Sequence, residues 1–174
     1  APLGQADVMA VLARHDVVGT EAERLARWAQ GSPGRALALR ERCAPAFRSL
    51  LAEVLSGRRA PLEAARAVWE EQGGFQGRTP SARQRDQARA FLDLTLDVVG
   101  DLLRGVCGRP AGELAHGDVL ATPDVAPLEV DLRCALDALL VARADLERNL
   151  DAQVIVDEAL LALAAVARAR EVTT

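Results

Sequence analysis

The residue with the clearest potential for chemistry in this chain is Arg35, which lies in the segment GSPGRALAL at residues 31–39. Gly31 can adopt the positive φ that ends a helix, Ser32 is a favourable N-cap, and Pro33 fits the first helical position. We therefore expect Arg35 in the first turn of a new helix, beside unpaired N–H groups and the positive end of the helix dipole. The local field opposes a cation there by roughly a few tenths of a kcal/mol.

Two interpretations of Arg35 follow from this unusual position. A phosphate or another anion bound at the same helix N-terminus would accept hydrogen bonds from both the backbone and the guanidinium. Alternatively, Arg35 is an ordinary surface arginine at a helix–turn–helix junction. Gly34 is predicted to bring the backbone of the new helix close to a neighbouring element.

The cysteines and histidines show no pattern typical of a catalytic or metal site. Cys43, Cys107 and Cys134 are too far apart for a zinc-binding pair, and we expect them to be small buried residues in a reducing compartment. His15 and His116 belong to no metal-binding helical motif. We therefore predict neither a catalytic residue nor a metal ligand in this chain.

Composition points to helices and limits the possible functions. Half of the 174 residues are hydrophobic, 3% are aromatic, and all 21 basic residues are arginine. Without lysine the chain contains no phosphate-binding P-loop. The net charge of −4 argues against a broad nucleic-acid-binding face. Because the sequence starts at Ala1, has its methionine at position 9 and shows no signal peptide or membrane span, we expect a cytoplasmic fragment.

Hydrophobic periodicity predicts an all-α fold in two parts. Residues 1–43 are expected to form three short helices, the second of which starts at a capping box made by Thr20 and Glu23. Residues 44–174 are expected to form a five- to six-helix bundle, with the seam near Pro45. The predicted bundle helices cover residues 46–56, 61–72, 81–107, 128–148 and 152–168, and a glycine-rich connection at residues 73–81 is expected to be mobile.

The last two helices are predicted to form a hairpin around residues 149–151. Asn149 tolerates the left-handed conformation, and Asp151 can cap the helix that follows. That helix is apolar on nearly every side, which is typical of a helix at the centre of a bundle or an assembly. Leu160 and Leu161 are both expected in its core.

Two segments carry a resemblance to a known family. GSPGRAL resembles the segment that opens the last lid helix in clamp-loader ATPases of the AAA+ class, where an arginine in this position is called sensor 2. DLLRGVCGRP and LERNLDAQVIVDEALLAL are similar to the C-terminal helical domain of the delta-prime subunits of bacterial DNA polymerase III. Asn149 matches the first asparagine of that family's Asn-x-Asn turn, Asp151 replaces the second, and Asp157 stands in place of a glutamate.

The resemblance implies a lid at residues 1–43 and a collar domain at residues 44–174. Delta-prime-like subunits are usually non-catalytic stators in a five-subunit complex that opens a sliding clamp and places it on primed DNA. The expected partners are the gamma/tau and delta subunits, met through a collar that includes Asn149, Asp151, Leu160 and Leu161. The resemblance implies that this part of the subunit would contact the sliding clamp and DNA only indirectly and would not bind a membrane. The chain itself is expected to be no enzyme and to hold no cofactor, with ATP contacted at most through Arg35.

Three alternatives remain open at this point. A motor subunit of the gamma/tau type would use Arg35 to sense ATP. A DNA-binding regulator would use residues 20–39 as a helix-turn-helix, although the acidic balance and the Pro-Gly start of its second helix argue against it. An all-α enzyme would use carboxylate pairs such as Asp157–Glu158, whose side chains point to different helix faces.

Overall fold

The computed structural model describes residues 2–117 and 129–172, except for the side chains of residues 169–172. Within those residues the chain is all-α, with eight α-helices and no β-strand. The helices are α1 (Gln5–Ala13), α2 (Gly19–Trp28), α3 (Pro33–Glu41), α4 (Ala44–Leu55), α5 (Pro61–Glu70), α6 (Pro80–Val106), α7 (Glu129–Glu147) and α8 (Ala152–Val172). A short 3-10 turn, Ala111–Glu113, follows α6. The predicted all-α fold class is confirmed.

The first three helices pack against one another in a small unit. Val8 and Leu12 of α1, Leu25 of α2 and Ala36 of α3 are buried at its centre. The predicted capping box of α2 is wrong, because α2 starts one residue before Thr20 and its N-cap is Val18, which makes no side-chain capping bond.

The junction between the two predicted parts lies at Cys43, which has a left-handed backbone (φ 56°) between α3 and α4. Pro45, the predicted seam, lies inside the first turn of α4 instead. The boundary at residue 43 therefore falls on a change in chain direction, but α3 and α4 also contact each other. The division into two domains stays a prediction.

The longest helix, α6, is the structural centre of the second part and contacts α4, α5, α7 and α8. Thr79 caps its start, since Thr79 Oγ1 accepts a hydrogen bond from the N–H of Ala82 (3.1 Å). Phe91 of α6 is fully buried, and its ring meets the ring of Phe47 edge-on with a centroid distance of 5.5 Å. Such aromatic pairs stabilise a core beyond the area they bury.

The predicted turn between α7 and α8 is confirmed. Asn149 has a φ of 65°, in the left-handed region. Asp151 Oδ1 accepts a hydrogen bond from the N–H of Gln153 (2.8 Å), which satisfies one of the free donors at the start of α8. Arg85 of α6 also donates to Asn149 Oδ1 (2.5 Å), so the turn is tied to the central helix.

One further sequence prediction needs correction. Cys107 and Cys134 are exposed and Cys43 is half-buried, so the cysteines are not buried core residues. The glycine-rich connection makes hydrogen bonds to the neighbouring helices, and its mobility stays a prediction. The N–H of Gly74 donates to Glu41 O (2.7 Å) and the N–H of Gln76 donates to Asp86 Oδ2 (2.8 Å). Residues 118–128, which lie largely between the helices predicted over 81–107 and 128–148, are outside the described residues.

Candidate functional site: the Arg35 cleft and the C-terminal hairpin

The segment before Arg35 adopts the predicted local structure. Gly31 has a φ of +86°, Pro33 is the first residue of α3, and Ser32 is the N-cap. Ser32 Oγ accepts a hydrogen bond from the N–H of Arg35 (3.3 Å). The sequence prediction that Arg35 lies in the first turn of a helix is therefore confirmed.

The two glycines of this segment have different roles. A Cβ atom at Gly31 would lie 2.6 Å from Pro2 Cβ and 2.7 Å from the carbonyl oxygen of Leu3, so the start of the chain lies directly over this glycine. The N–H of Leu3 also donates to Gly31 O (3.0 Å). A Cβ atom at Gly34 would meet nothing within 4 Å. The predicted close approach of the backbone at Gly34 is wrong, and it occurs at Gly31 instead.

The guanidinium of Arg35 forms an ion pair with Asp97 of α6. The side chains of Arg35 and Asp97 are 39% and 38% exposed, so solvent reaches both partners. Burial raises the pKa of the Asp97 carboxyl above its ordinary value; Arg35 acts in the opposite direction, and Asp101 and Asp93 add to the rise. An anion that approached Arg35 would therefore have to compete with a carboxylate of the same chain.

Arg35 and Asp97 line a cleft of about 430 Å³ between α3 and α6. Its apolar walls include Leu39 and Leu94. The other charged lining residues are also in ion pairs: Arg42 with Asp86 at 3.3 Å, and Asp93 with Arg143 at 2.7 Å. The charged residues of the cleft are therefore neutralised by ion pairs. Two of these pairs connect the region of α3 with α6, an arrangement suited to holding helices together.

The C-terminal hairpin separates the two leucines that were predicted together. Leu160 is fully buried, whereas Leu161 is 44% exposed, so the prediction that both belong to the core is wrong for Leu161. One helix residue turns the side chain by about 100°, which carries the neighbour to another face. The exposed large hydrophobic residues of the hairpin are Val130, Leu140, Val141, Leu150, Val154 and Leu161.

The α8 helix is consequently not central on every side. Residues 154, 158, 161, 165 and 168 are exposed, and their spacings of four and three place them on one outward stripe. Val154, Leu161 and Ala165 make this stripe partly apolar. The turn residues Asn149 and Asp151 form hydrogen bonds within the hairpin and to α6, which gives them a structural role.

Two features of the structure have no counterpart among the sequence predictions. Asp97 was not singled out, although Asp93, Asp97 and Asp101 are spaced by four residues along α6, which places three carboxylates near one helix face. His116 was interpreted as isolated, but it is 2% exposed and its ring centroid lies 5.6 Å from that of Trp28. No local sequence signal connects His116 with Trp28.

Comparison with protein-family models, with curated proteins and with solved structures found no match to this chain. Across residues 2–117 and 129–172 there is no cluster of three or more His, Cys, Asp or Glu side chains that could hold a metal ion. No helix of the described part is long and apolar enough to span a membrane. The fold and the site thus define an all-α helical protein with a charge-paired cleft.

Proposed function

We propose that this chain is a non-catalytic assembly part of a bacterial clamp-loader subunit of the delta-prime type. The observation that carries the proposal is the order of two segments within an all-α chain. GSPGRAL opens the third helix of the N-terminal unit, and ERNLDAQVIVDEALLAL forms the turn and last helix of a five-helix bundle. In delta-prime-like subunits, a small lid is likewise followed by a helical collar domain.

The pairing of Arg35 supports a stator in preference to a motor subunit. A sensor arginine of a motor would have to reach the phosphates of ATP, whereas Arg35 is paired with Asp97 of α6. The absence of lysine also means that a P-loop cannot come from this chain. In this proposal, ATP hydrolysis belongs to the neighbouring motor subunits.

The outward stripe of α8 is the surface proposed for assembly. Its spacings of four and three are those of residues that pack between neighbouring helices. Val154 and Leu161, 53% and 44% exposed, are seven residues apart on this stripe. Contact with the corresponding helices of gamma/tau-type and delta subunits would bury both side chains.

Co-purification with the matching motor and delta subunits tests this proposal. We expect a stable complex, and we expect Leu161→Arg to weaken it by about tenfold or more, because a buried interface position would then hold an unpaired charge. Val18→Arg is the matched control, since Val18 is 67% exposed but lies in the N-terminal unit. Failure of the unsubstituted chain to join the complex, with a full-length delta-prime subunit as positive control, would contradict the proposal.

The DNA-binding alternative receives less support from the geometry. In a helix-turn-helix made of α2 and α3, the second helix would have to be free to enter a groove. Arg35 and Leu39 of α3 instead line the cleft against α6, together with the C-cap residue Arg42. Filter binding at low salt checks this alternative, because phosphate contacts make such binding strongly dependent on salt.

A further inference from the structure

A second cavity, of about 420 Å³, lies away from the Arg35 cleft. It is formed by the end of α2, the last turns of α6 and the segment that contains the 3-10 turn Ala111–Glu113. Three arginines converge on it: Arg27 from α2, Arg104 from α6, and Arg109 just after α6. Three guanidiniums around one concave space are typical of an anion-binding site.

A buried carboxylate positions one of these arginines. The side chain of Asp101 is 5% exposed, and its Oδ1 accepts a hydrogen bond from Arg104 Nη1 (2.6 Å). Its Oδ2 accepts a second bond from the N–H of His116 (2.9 Å), which fastens the wall of the cavity to α6. Among the described residues, Asp101 is the partner of the Arg104 guanidinium, and it binds the Nη1 atom. The other N–H groups of that guanidinium can therefore donate to a ligand.

The other two arginines have their charge available. Arg27 and Arg109 are exposed, and neither guanidinium group makes an ion pair or hydrogen bond within the part of the chain that the structure describes. Asp101 and Glu113 are the acidic residues of the lining, so three positive charges face two negative ones. The cavity is therefore net positive in a chain whose overall charge is −4.

We propose that this cavity binds a small phosphate-bearing molecule. Arginine forks match the oxygens of a phosphate group, and Glu113 and Gln30 at the rim can accept or donate hydrogen bonds to the organic part of a phosphate ester. A long polyanion fits less well, because the acidic surface of the remaining chain would repel it. This binding site is independent of the clamp-loader proposal.

Titration with inorganic pyrophosphate, followed by isothermal calorimetry and by thermal melting, tests the site. We expect saturable binding and a rise in melting temperature beyond that of sodium chloride at equal ionic strength. The double variant Arg27→Gln with Arg109→Gln is expected to lose about tenfold or more in affinity. The control double variant Arg14→Gln with Arg66→Gln removes the same charge from exposed positions elsewhere and should bind like the unsubstituted chain.

Three outcomes would overturn the proposal. The first is no effect of pyrophosphate beyond that of chloride. The second is an equal loss in both double variants, which would indicate a general charge effect. The third is tighter binding of single-stranded oligonucleotide than of pyrophosphate at equal phosphate concentration, lost in the same variant, which would assign the arginines to nucleic acid.

Arg27 and Arg104 also lie in the last turns of their helices. If the arginines only stabilise these helix ends, the variant will lower the melting temperature without altering the pyrophosphate titration, and this result would also overturn the proposal.

Discussion

The N-terminal unit and the helical bundle differ in the length of their longest helices and in the size of the side chains that those helices bury. The helices α1, α2 and α3 are 9, 10 and 9 residues long, whereas α6, α7 and α8 have 27, 19 and 21 residues. A short helix offers few side chains to a core, because three or four residues in each two turns face inward. The long helices bury large residues such as Phe91, Leu139 and Leu160, whereas α3 contributes Ala36.

The N-terminal unit is supported by specific contacts with the rest of the chain. Arg35 of α3 and Arg42, the C-cap of α3, pair with Asp97 and Asp86 of α6. The Trp28 ring lies 5.1 Å from the guanidinium of Arg48 on α4, a favourable cation–π distance. Apolar burial supports both regions, since Leu12 and Leu25 belong to the same buried core as Phe91, and the polar and aromatic contacts orient the N-terminal unit on the bundle.

The largest expected effect tests the apolar core of the bundle. Leu160→Ala removes a fully buried side chain from α8 and should lower the free energy of unfolding by about 2–5 kcal/mol. Leu161→Ala is the matched control and should cost less than about 0.5 kcal/mol, since its side chain is 44% exposed. Urea unfolding followed by far-UV circular dichroism measures both. Equal losses would mean that the outward stripe of α8 is covered in solution.

A substitution at Gly31 tests the N-terminal unit. Gly31→Ala forces a side chain into a left-handed backbone beneath Pro2 and Leu3, and should cost about 1–3 kcal/mol. Gly34→Ala should change stability by less than about 0.5 kcal/mol, because its Cβ meets open space. Trp28 fluorescence, measured in a Trp69→Phe background, reports the N-terminal unit, and circular dichroism reports the helices of the whole chain. Loss of both signals at the same urea concentration would show that the two regions unfold together.

Removal of a glycine inside the central helix should stabilise the bundle. Gly100 lies within α6, and a Cβ atom there would meet its nearest neighbour among the described residues, Arg104 Nη1, at 3.8 Å, an ordinary contact distance. Gly100→Ala should therefore raise the free energy of unfolding by up to about 1 kcal/mol. Thermal melting compares the two proteins. A lower melting temperature would indicate that another element approaches α6 closely at this position.

The smallest expected effects concern the pH dependence of stability. They distinguish Asp97, which contacts the N-terminal unit, from Glu147 in the C-terminal hairpin. The pKa of Asp97 is raised in the folded chain by burial, so its contribution to stability is largest below its ordinary value of 3.8 and falls as pH rises through the raised value. The pKa of Glu147 is lowered, first by the hydrogen bond from Arg143 and then by the charge of Arg89. Its contribution is present above the ordinary value of 4.5 and is lost as pH falls through the lowered value.

Urea unfolding between acidic and neutral pH measures this contrast. At neutral pH, Asp97→Asn should leave stability unchanged or raise it by about a few tenths of a kcal/mol, because the ion pair with Arg35 is open to solvent. Glu147→Gln should lower it. Both differences should shrink in acid, where the carboxyls are protonated in the folded and unfolded chains. Effects of the same sign at neutral pH would contradict the proposed difference between the two regions.

Local sequence signals predicted two local features whose stabilising contacts lie within about four residues. The cap at Ser32 and the turn at Asn149 and Asp151 formed as predicted, because their hydrogen bonds join near neighbours. The capping box at Thr20 failed even at this range. The α2 helix starts at Gly19, with Val18 as its N-cap, so Thr20 lies inside the first turn and cannot be the N-cap.

By itself, the sequence determined the helical elements and the position of Arg35 in a first turn. Only the tertiary structure decided that Asp97, 62 residues away, pairs with Arg35, and that Arg27, Arg104 and Arg109 meet around one cavity. It also decided that Leu160 faces inward and Leu161 outward on a helix whose apolar residues extend around its axis. Backbone hydrogen bonds within a helix depend on adjacent residues, whereas these pairings depend on how distant helices pack.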